Sequence, residues 1–581
     1  MGEVMVQNSI QSGQKPVDGK SIIQIKDLRY RYRGGKRYAL DGIDLELNQG
    51  TFLMVMGPSE AGKSTLAASL NGLIPHFYQG KLSGDVDVMG KNTRQFTVAQ
   101  MAENVGMVFQ DFEAQLFSTN VELEVAFGPE NYAIPREEIV KRIDESLKLV
   151  GLENMRNRSP STLSGGQKQK LAIASVLAMH TPILVMDEPT TDLDPISKLG
   201  VFEIAYQLKE REDITLIVVE HETEEALQAD ELCMIKDGKI VRMGPARELL
   251  RDVDLFEQVG VMPLGIPRYF KQMGVKELPL TPEEGIREFQ AQGWSFSDKK
   301  YQELVVKDEE RSRKASEVLI HCEDLELTYP NGFKALHGIS MDIHKGEMVA
   351  ILGQNGSGKT TLVKNFNGLL FPTAGKIEVQ GKPTQDQGVF QLGKKVGYVF
   401  QNPDYQIFSE TVFDEVAFTL RLRKVGDDAI KKAVSESLEA VGLAGFEKED
   451  PFSLTKSGRQ RVAVASVLAA QPEIIILDEP TTGLDYAEQH SMMNLVKELN
   501  ERGNTVIFVT HHMWVVAEYA QRVFVIKDGR IYLQGTTREV FSHEEELREA
   551  SLRPPHLVSF SNHFGKTMLT VDELVYCSER G

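Results

Sequence analysis

At 581 residues the chain exceeds what one hydrophobic core serves, so two or more domains are expected. Its 41% hydrophobic and 26% charged residues are those of a globular protein, and no apolar run reaches the ~18–20 residues that cross a bilayer, which argues against a membrane-spanning chain. The net charge of -19 disfavours a nucleic-acid partner, because such binding relies on Lys and Arg neutralising phosphates.

Residues 1–21 read as a polar, loose tail. They hold no apolar segment of signal-peptide length, and Val6 stands where an N-myristoylation signal needs Ser or Thr, so a cytoplasmic location is expected. Cys233, Cys322 and Cys577 are far apart and form no CxxC or Cys/His cluster, which argues against disulfides and zinc.

Further along, Asp27-Leu28-Arg29-Tyr30-Arg31-Tyr32 through Ala39-Leu40-Asp41-Gly42-Ile43 reappears as Asp324-Leu325-Glu326-Leu327-Thr328-Tyr329 through Ala335-Leu336-His337-Gly338-Ile339. Later landmarks recur at a nearly constant offset, giving two copies of one domain at 22–250 and 317–545. In each, alternating strand-like segments lead to a buried strand (52–56; 348–352) and then to helices alternating with β-rich runs, the order of an α/β core with a parallel sheet. Between the copies, 251–316 is a charge-balanced connector with helix-prone stretches such as 299–314. Its Leu280-Thr281-Pro282-Glu283-Glu284 resembles Leu569-Thr570-Val571-Asp572-Glu573 in the tail, 546–581, so a small module is expected to follow each copy.

After each buried strand comes GxxxxGK[ST]: Gly57-Pro58-Ser59-Glu60-Ala61-Gly62-Lys63-Ser64, then Thr65, and Gly353-Gln354-Asn355-Gly356-Ser357-Gly358-Lys359-Thr360, then Thr361. Glycines let such a loop wrap a phosphate with its N–H groups inward, and the following helix adds its positive dipole end. Lys63 and Lys359 are expected on the β/γ-phosphates of ATP, and Ser64 and Thr360 on Mg²⁺. Downstream, Ile183-Leu184-Val185-Met186 and Ile474-Ile475-Ile476-Leu477 run into Asp187-Glu188 and Asp478-Glu479. The aspartates fit the Mg²⁺ shell and the glutamates a general base for the attacking water.

Leu163-Ser164-Gly165-Gly166-Gln167 is the LSGGQ motif, and with it the chain resembles the ATP-binding cassette family. That resemblance implies two tandem cassettes, each a RecA-like parallel-sheet core with an antiparallel β subdomain and a helical signature subdomain. It also implies adenine stacking on Tyr32 and Tyr329, Mg²⁺-binding Q-loop glutamines Gln110 and Gln401, D-loops Thr191-Asp192-Leu193-Asp194 and Thr482-Gly483-Leu484-Asp485, and switch histidines His221 and His511. Within the family, Phe109-Gln110-Asp111-Phe112-Glu113-Ala114-Gln115-Leu116-Phe117-Ser118 and Phe400-Gln401-Asn402-Pro403-Asp404-Tyr405-Gln406-Ile407-Phe408-Ser409, each with a following Glu-Val-Ala-Phe, resemble energy-coupling factor ATPases. Their partners are a transmembrane scaffold subunit and a substrate-binding membrane subunit, which would place this chain on the cytoplasmic face of the membrane as the motor of vitamin, vitamin-precursor or metal-ion uptake.

Family architecture sets each ATP between the P-loop of one cassette and the signature of the other. The second signature reads Leu454-Thr455-Lys456-Ser457-Gly458, so donors to the γ-phosphate are lost. One competent site is therefore expected, with Lys359, Thr360, Gln401, Asp478, Glu479 and His511 facing Ser164, Gly165, Gly166 and Gln167. The other pairs Lys63, Ser64, Gln110, Asp187, Glu188 and His221 with Thr455, Lys456, Ser457 and Gly458, and is expected to bind ATP but turn it over slowly. Lys456 offers a cation in partial compensation, and Glu60, at a position the family keeps small, is expected to point to solvent. A ribosomal twin-cassette factor would carry a basic insert between the cassettes, and a DNA-repair cassette protein zinc cysteines or long heptads. Neither pattern is present, which leaves another ABC importer or exporter as the alternative.

Overall fold

The computed structural model describes residues 21–191, 193–211, 213–314 and 317–580. The tail 1–20 and D-loop Asp192 lie outside the described residues. Each copy has a six-stranded core sheet, ordered 239–245, 231–236, 52–56, 215–219, 183–187, 105–108 in the first and 530–536, 522–527, 348–352, 505–509, 474–478, 396–399 in the second. The strands pair in parallel except for the last hairpin of each.

A strand buried on both faces reads as an uninterrupted apolar run, and its alternation then feeds two cores. Phe52, Met54 and Met56 point into a core shared with the helical subdomain, whereas Leu53 and Val55 point into one shared with the antiparallel sheet 40–48, 21–32, 80–88, 91–92. The second cassette repeats this with Met348, Ala350 and Leu352 on one face and Val349 and Ile351 on the other. The helical subdomain is Val121–Asn131, Arg136–Val150 and Gly165–Leu177 in one copy, and Val412–Leu422, Asp427–Ala440 and Lys456–Ala469 in the other. Both P-loops thus lie where a fully buried strand meets a helix, at Lys63–Leu70 and Lys359–Phe366.

The connector and the tail fold as one unit. Tyr269, Phe270, Phe289 and Phe296 of the connector share a buried cluster with Leu557, Phe560, Leu574 and Cys577 of the tail. An antiparallel ribbon joins Ser295–Phe296 to Ser578–Glu579. The two similar pentapeptides have the same capping geometry: Thr281 and Thr570 cap their helices at 3.2 Å. Glu284 and Glu573 reach back to the amides of Leu280 and Leu569 at 2.8 and 2.7 Å. The unit also crosses between cassettes. Arg268 of the connector is within electrostatic reach of Tyr486 and Glu518 of the second cassette, and the His556 amide of the tail donates to Glu224 of the first at 3.3 Å.

One arginine from each cassette clamps this unit, in different environments. Arg538 is buried and donates to both oxygens of Glu573 at 2.9 and 2.8 Å and to Asp308 at 2.8 Å, whereas Arg247 pairs with Glu284 in a more exposed setting. Removing one partner of a buried pair strands the other charge. Arg538→Ala is expected to destabilise the unit by about 3–5 kcal/mol, and Arg247→Ala by less than about 1 kcal/mol. Denaturant titration of Trp294 fluorescence in a Trp514→Phe background measures both, and equal effects would contradict the burial argument.

Candidate functional site

Each P-loop helix is entered through a glycine in the left-handed region, Gly62 at φ 106° and Gly358 at φ 105°. A Cβ on Gly62 would lie 2.4 Å from the Ala39 carbonyl oxygen, so no other residue fits there. The lysines fold back into their loops. Lys63 Nζ donates to the carbonyls of Gly57 and Pro58 at 3.0 and 2.9 Å, and Lys359 Nζ to those of Gly353 and Gln354 at 2.8 and 3.0 Å. Burial lowers the pKa of both amines.

Ser64 Oγ donates to Asp187 at 3.0 Å and Thr360 Oγ1 to Asp478 at 3.3 Å. Hydroxyl and carboxylate converge there as an all-oxygen donor set that suits a small hard cation such as Mg²⁺. Burial, then the adjacent Glu188, pushes Asp187 up to about 6, and burial raises Asp478 too. A bound cation would relieve that cost. No motif marks Tyr398, whose hydroxyl donates to the second oxygen of Asp478 at 2.7 Å. It sits on the strand beside that of Asp478, where the first cassette has Met107. A lone Tyr in an apolar edge strand was the available signal.

The general-base candidates have unusual backbone conformations. Glu188 and Glu479 have φ of 46° and 52°, left-handed values that L side chains rarely adopt. Their amides are held by the carbonyls of Val219 and Val509 at 3.0 and 2.9 Å. Glu188 accepts from Gln110 at 2.7 Å and meets His221 Nε2 at 2.8 Å; Glu479 meets His511 Nδ1 at 2.9 Å. Burial alone would raise both carboxyls, but the histidines and the P-loop lysines outweigh it and hold them at about 2. Both are ionised at neutral pH, as a group that polarises water must be. Gln110 thus lies on Glu188, while Gln401 is exposed. Tyr32 and Tyr329 are tied through their hydroxyls to Thr65 and Thr361 at 3.1 and 3.0 Å. Glu60 pairs with Arg37 at the surface, away from its loop.

Opposite cassettes meet at these loops. The Ser59 amide donates to Asp485 at 2.8 Å and its hydroxyl to Glu488 at 3.3 Å; reciprocally, the Asn355 amide donates to Asp194 at 3.3 Å. The signatures differ as their sequences do. Ser164 and Gln167 form a reciprocal capping box, whereas Thr455 caps Gly458 at 3.1 Å and Gly458 has no side chain to return the bond. The Lys456 side chain lies across its own D-loop, with Nζ 2.5 Å from where a Cβ on Gly483 would be.

The sequence model of the ABC transporter family matches residues 40–191 and 336–482. The chain belongs to the ABC transporter family. An AAA-domain model also matches residues 450–517, inside the second cassette. A relative described as an ABC transporter ATP-binding protein, TTE1589 of Caldanaerobacter subterraneus subsp. tengcongensis, is 56% identical over 97% of this chain and 99% of its own length. Another from Methanosarcina mazei is 37% identical over 96% and 98%. Among solved structures, cbiO1 from Clostridium perfringens, titled part of the ABC transporter complex cbiONQ, is 39% identical over 43% of this chain and 99% of its own, with a TM-score of 0.38. A dimeric cassette, MJ0796, bound to ADP and Pi is 31% identical over 38% and 99%, with a TM-score of 0.36. As a tandem ABC ATPase the chain binds and hydrolyses ATP, and the two-cassette α/β fold expected from the motifs is the fold observed.

In this ABC protein Gly483, at φ 72°, is needed twice: for its backbone and for the space Lys456 fills. Gly483→Ala is therefore expected to lower stability by about 1 kcal/mol or more, and Lys456→Ala to restore part of that loss. A double-mutant cycle in thermal unfolding measures the coupling, and strict additivity would show that Lys456 does not press on the D-loop.

Proposed function

We propose that the chain is the ATPase of an energy-coupling factor type transporter, driving uptake of a vitamin, vitamin precursor or metal ion through separate membrane subunits. ABC ATP-binding proteins work with membrane subunits, and among the described residues no helix is long and apolar enough to cross a membrane. The observation that carries the finer reading is a pair of matching exposed aromatic corners. Phe117 stacks edge-on with Phe127 at 4.5 Å, and Phe408 with Phe418 at 4.7 Å, all four exposed. Glu124 and Glu415, buried one turn into the following helices, fix both loops by accepting the amides of Phe117 and Ser118, and of Phe408 and Ser409. Two equal apolar corners beside the Q-loops suit two helices of a membrane scaffold, which supports the reading of a chain peripheral to the membrane on its cytoplasmic side.

At the competent site the P-loop amides and Lys359 bind the β/γ-phosphates, Thr360 and Asp478 would hold Mg²⁺, which would supply charge neutralisation there, and Glu479, oriented by His511, polarises the water. Ser164 and the amides of Gly165 and Gly166 complete the γ-phosphate shell from the facing cassette. At the other site Lys456 and Ser457 stand where those glycines would be. Losing two hydrogen bonds to a charged group slows turnover on the order of 10² to 10⁴-fold.

Steady-state ATPase activity of the partner-bound complex tests this asymmetry: Glu479→Gln is expected to abolish turnover and Glu188→Gln to leave most of it, whereas equal losses would show both sites hydrolysing. Phe117→Asp with Phe408→Asp is expected to release the chain from membranes while ATP binding persists; retention would remove the docking reading. Solute uptake rather than efflux by vesicles carrying the complex separates the importer from an exporter.

A further inference from the structure

We propose that Tyr78 is a second base-contacting residue, present in the first cassette alone, and that it makes the first site the tighter nucleotide holder. The inference rests on the reading of Tyr32 as the residue on which adenine stacks.

Between the P-loop helix and the next strand, the first cassette runs through residues 71–79, a longer path than 367–373 in the second. The end of that longer path is strapped to the strand that carries Tyr32. Tyr32 is the register partner of Gly80, the Arg33 amide donates to the Gln79 carbonyl at 3.0 Å, and the buried Tyr30 donates its hydroxyl to the Tyr78 carbonyl at 3.0 Å. Gly80 permits this approach, because a Cβ there would come within 2.4 Å of the Arg31 carbonyl oxygen and 2.6 Å of the Tyr30 ring.

The strapping sets the Tyr78 ring beside the Tyr32 ring, with centroids 6.2 Å apart and planes 78° to each other. Tyr32 is steadied from behind by Tyr30, edge-on at 4.9 Å, and at its tip by Thr65 on the P-loop helix. Tyr78 is steadied by Phe77, edge-on at 5.2 Å. Two rigid rings at a right angle, 39% and 38% exposed, form an open corner directly beside the phosphate loop. A purine stacked on Tyr32 lies roughly perpendicular to the Tyr78 ring, the edge-to-face arrangement that aromatic quadrupoles favour. No comparable corner exists in the second cassette: among the described residues Tyr329 has no ring neighbour, and Phe371 turns onto Gly368. The base grip is thus strongest at the site whose opposing signature is altered.

The test is equilibrium binding of MgATP and of magnesium tripolyphosphate, which lacks the base, to the full chain with Lys359→Ala silencing the second site. Tyr78→Ala is expected to weaken MgATP about 3- to 10-fold, the effect of one aromatic pair, to leave tripolyphosphate unchanged, and to be rescued by Tyr78→Phe. Unchanged MgATP binding, or equal weakening of both ligands, overturns the proposal. Tyr32→Ala run in parallel separates the two readings. If it weakens MgATP while Tyr78→Ala does not, only Tyr78 is excluded; if neither does, adenine does not stack on Tyr32 and the proposal falls with that reading.

Discussion

Two aspartates divide their oxygens between cassettes, and the arrangement of the ATP sites follows from that division. Asp194 and Asp485 each cap their own helix with one oxygen, at 2.8 and 2.9 Å, and accept a P-loop amide of the opposite cassette with the other. A helix N-terminus is a fixed anchor, so the bond to the facing loop is aimed by secondary structure rather than by a mobile side chain. Each P-loop is thereby held against the D-loop of its neighbour.

Placing both cassettes on one chain changes what that interface must supply. Association of separate subunits costs translational and rotational freedom, while a tethered partner is present at a high effective concentration. The shared connector-tail unit strengthens the tether, since its core draws on segments from both sides of the second cassette and contacts both cassettes. Weak polar contacts between the facing P-loops and D-loops are then sufficient to pair the cassettes. Tethering also allows the two halves to diverge, because each altered motif always meets the same partner.

The phosphate-loop and Asp-Glu motifs were legible because their spacing is rigid. A phosphate cradle needs its glycines, its Lys and its hydroxyl at fixed offsets, and a buried strand ending in Asp-Glu leaves few other uses for two carboxylates. Residues that act through tertiary approach were not legible. Tyr398 reaches Asp478 only because two strands pair in register, and Glu488 reaches Ser59 only because the cassettes pair head to tail. The resemblance between Leu280-Thr281-Pro282-Glu283-Glu284 and Leu569-Thr570-Val571-Asp572-Glu573 was visible as letters, and its meaning, a pair of equivalent helix caps, is local. That both caps belong to one core is a long-range fact that no local pattern encodes.

That common core also fixes an order of events during synthesis. Tyr269, Phe270 and Phe289 leave the ribosome before the second cassette is made, and Leu557, Phe560 and Leu574, which cover them, leave after it. At roughly 5–20 residues per second the aromatic face of the connector waits on the order of tens of seconds for its cover. Through that interval the nascent chain presents an uncovered apolar surface beside an already folded first cassette, the kind of surface that chaperones bind. The fused architecture thus gains a permanent tether at the cost of a long, unprotected step in biogenesis.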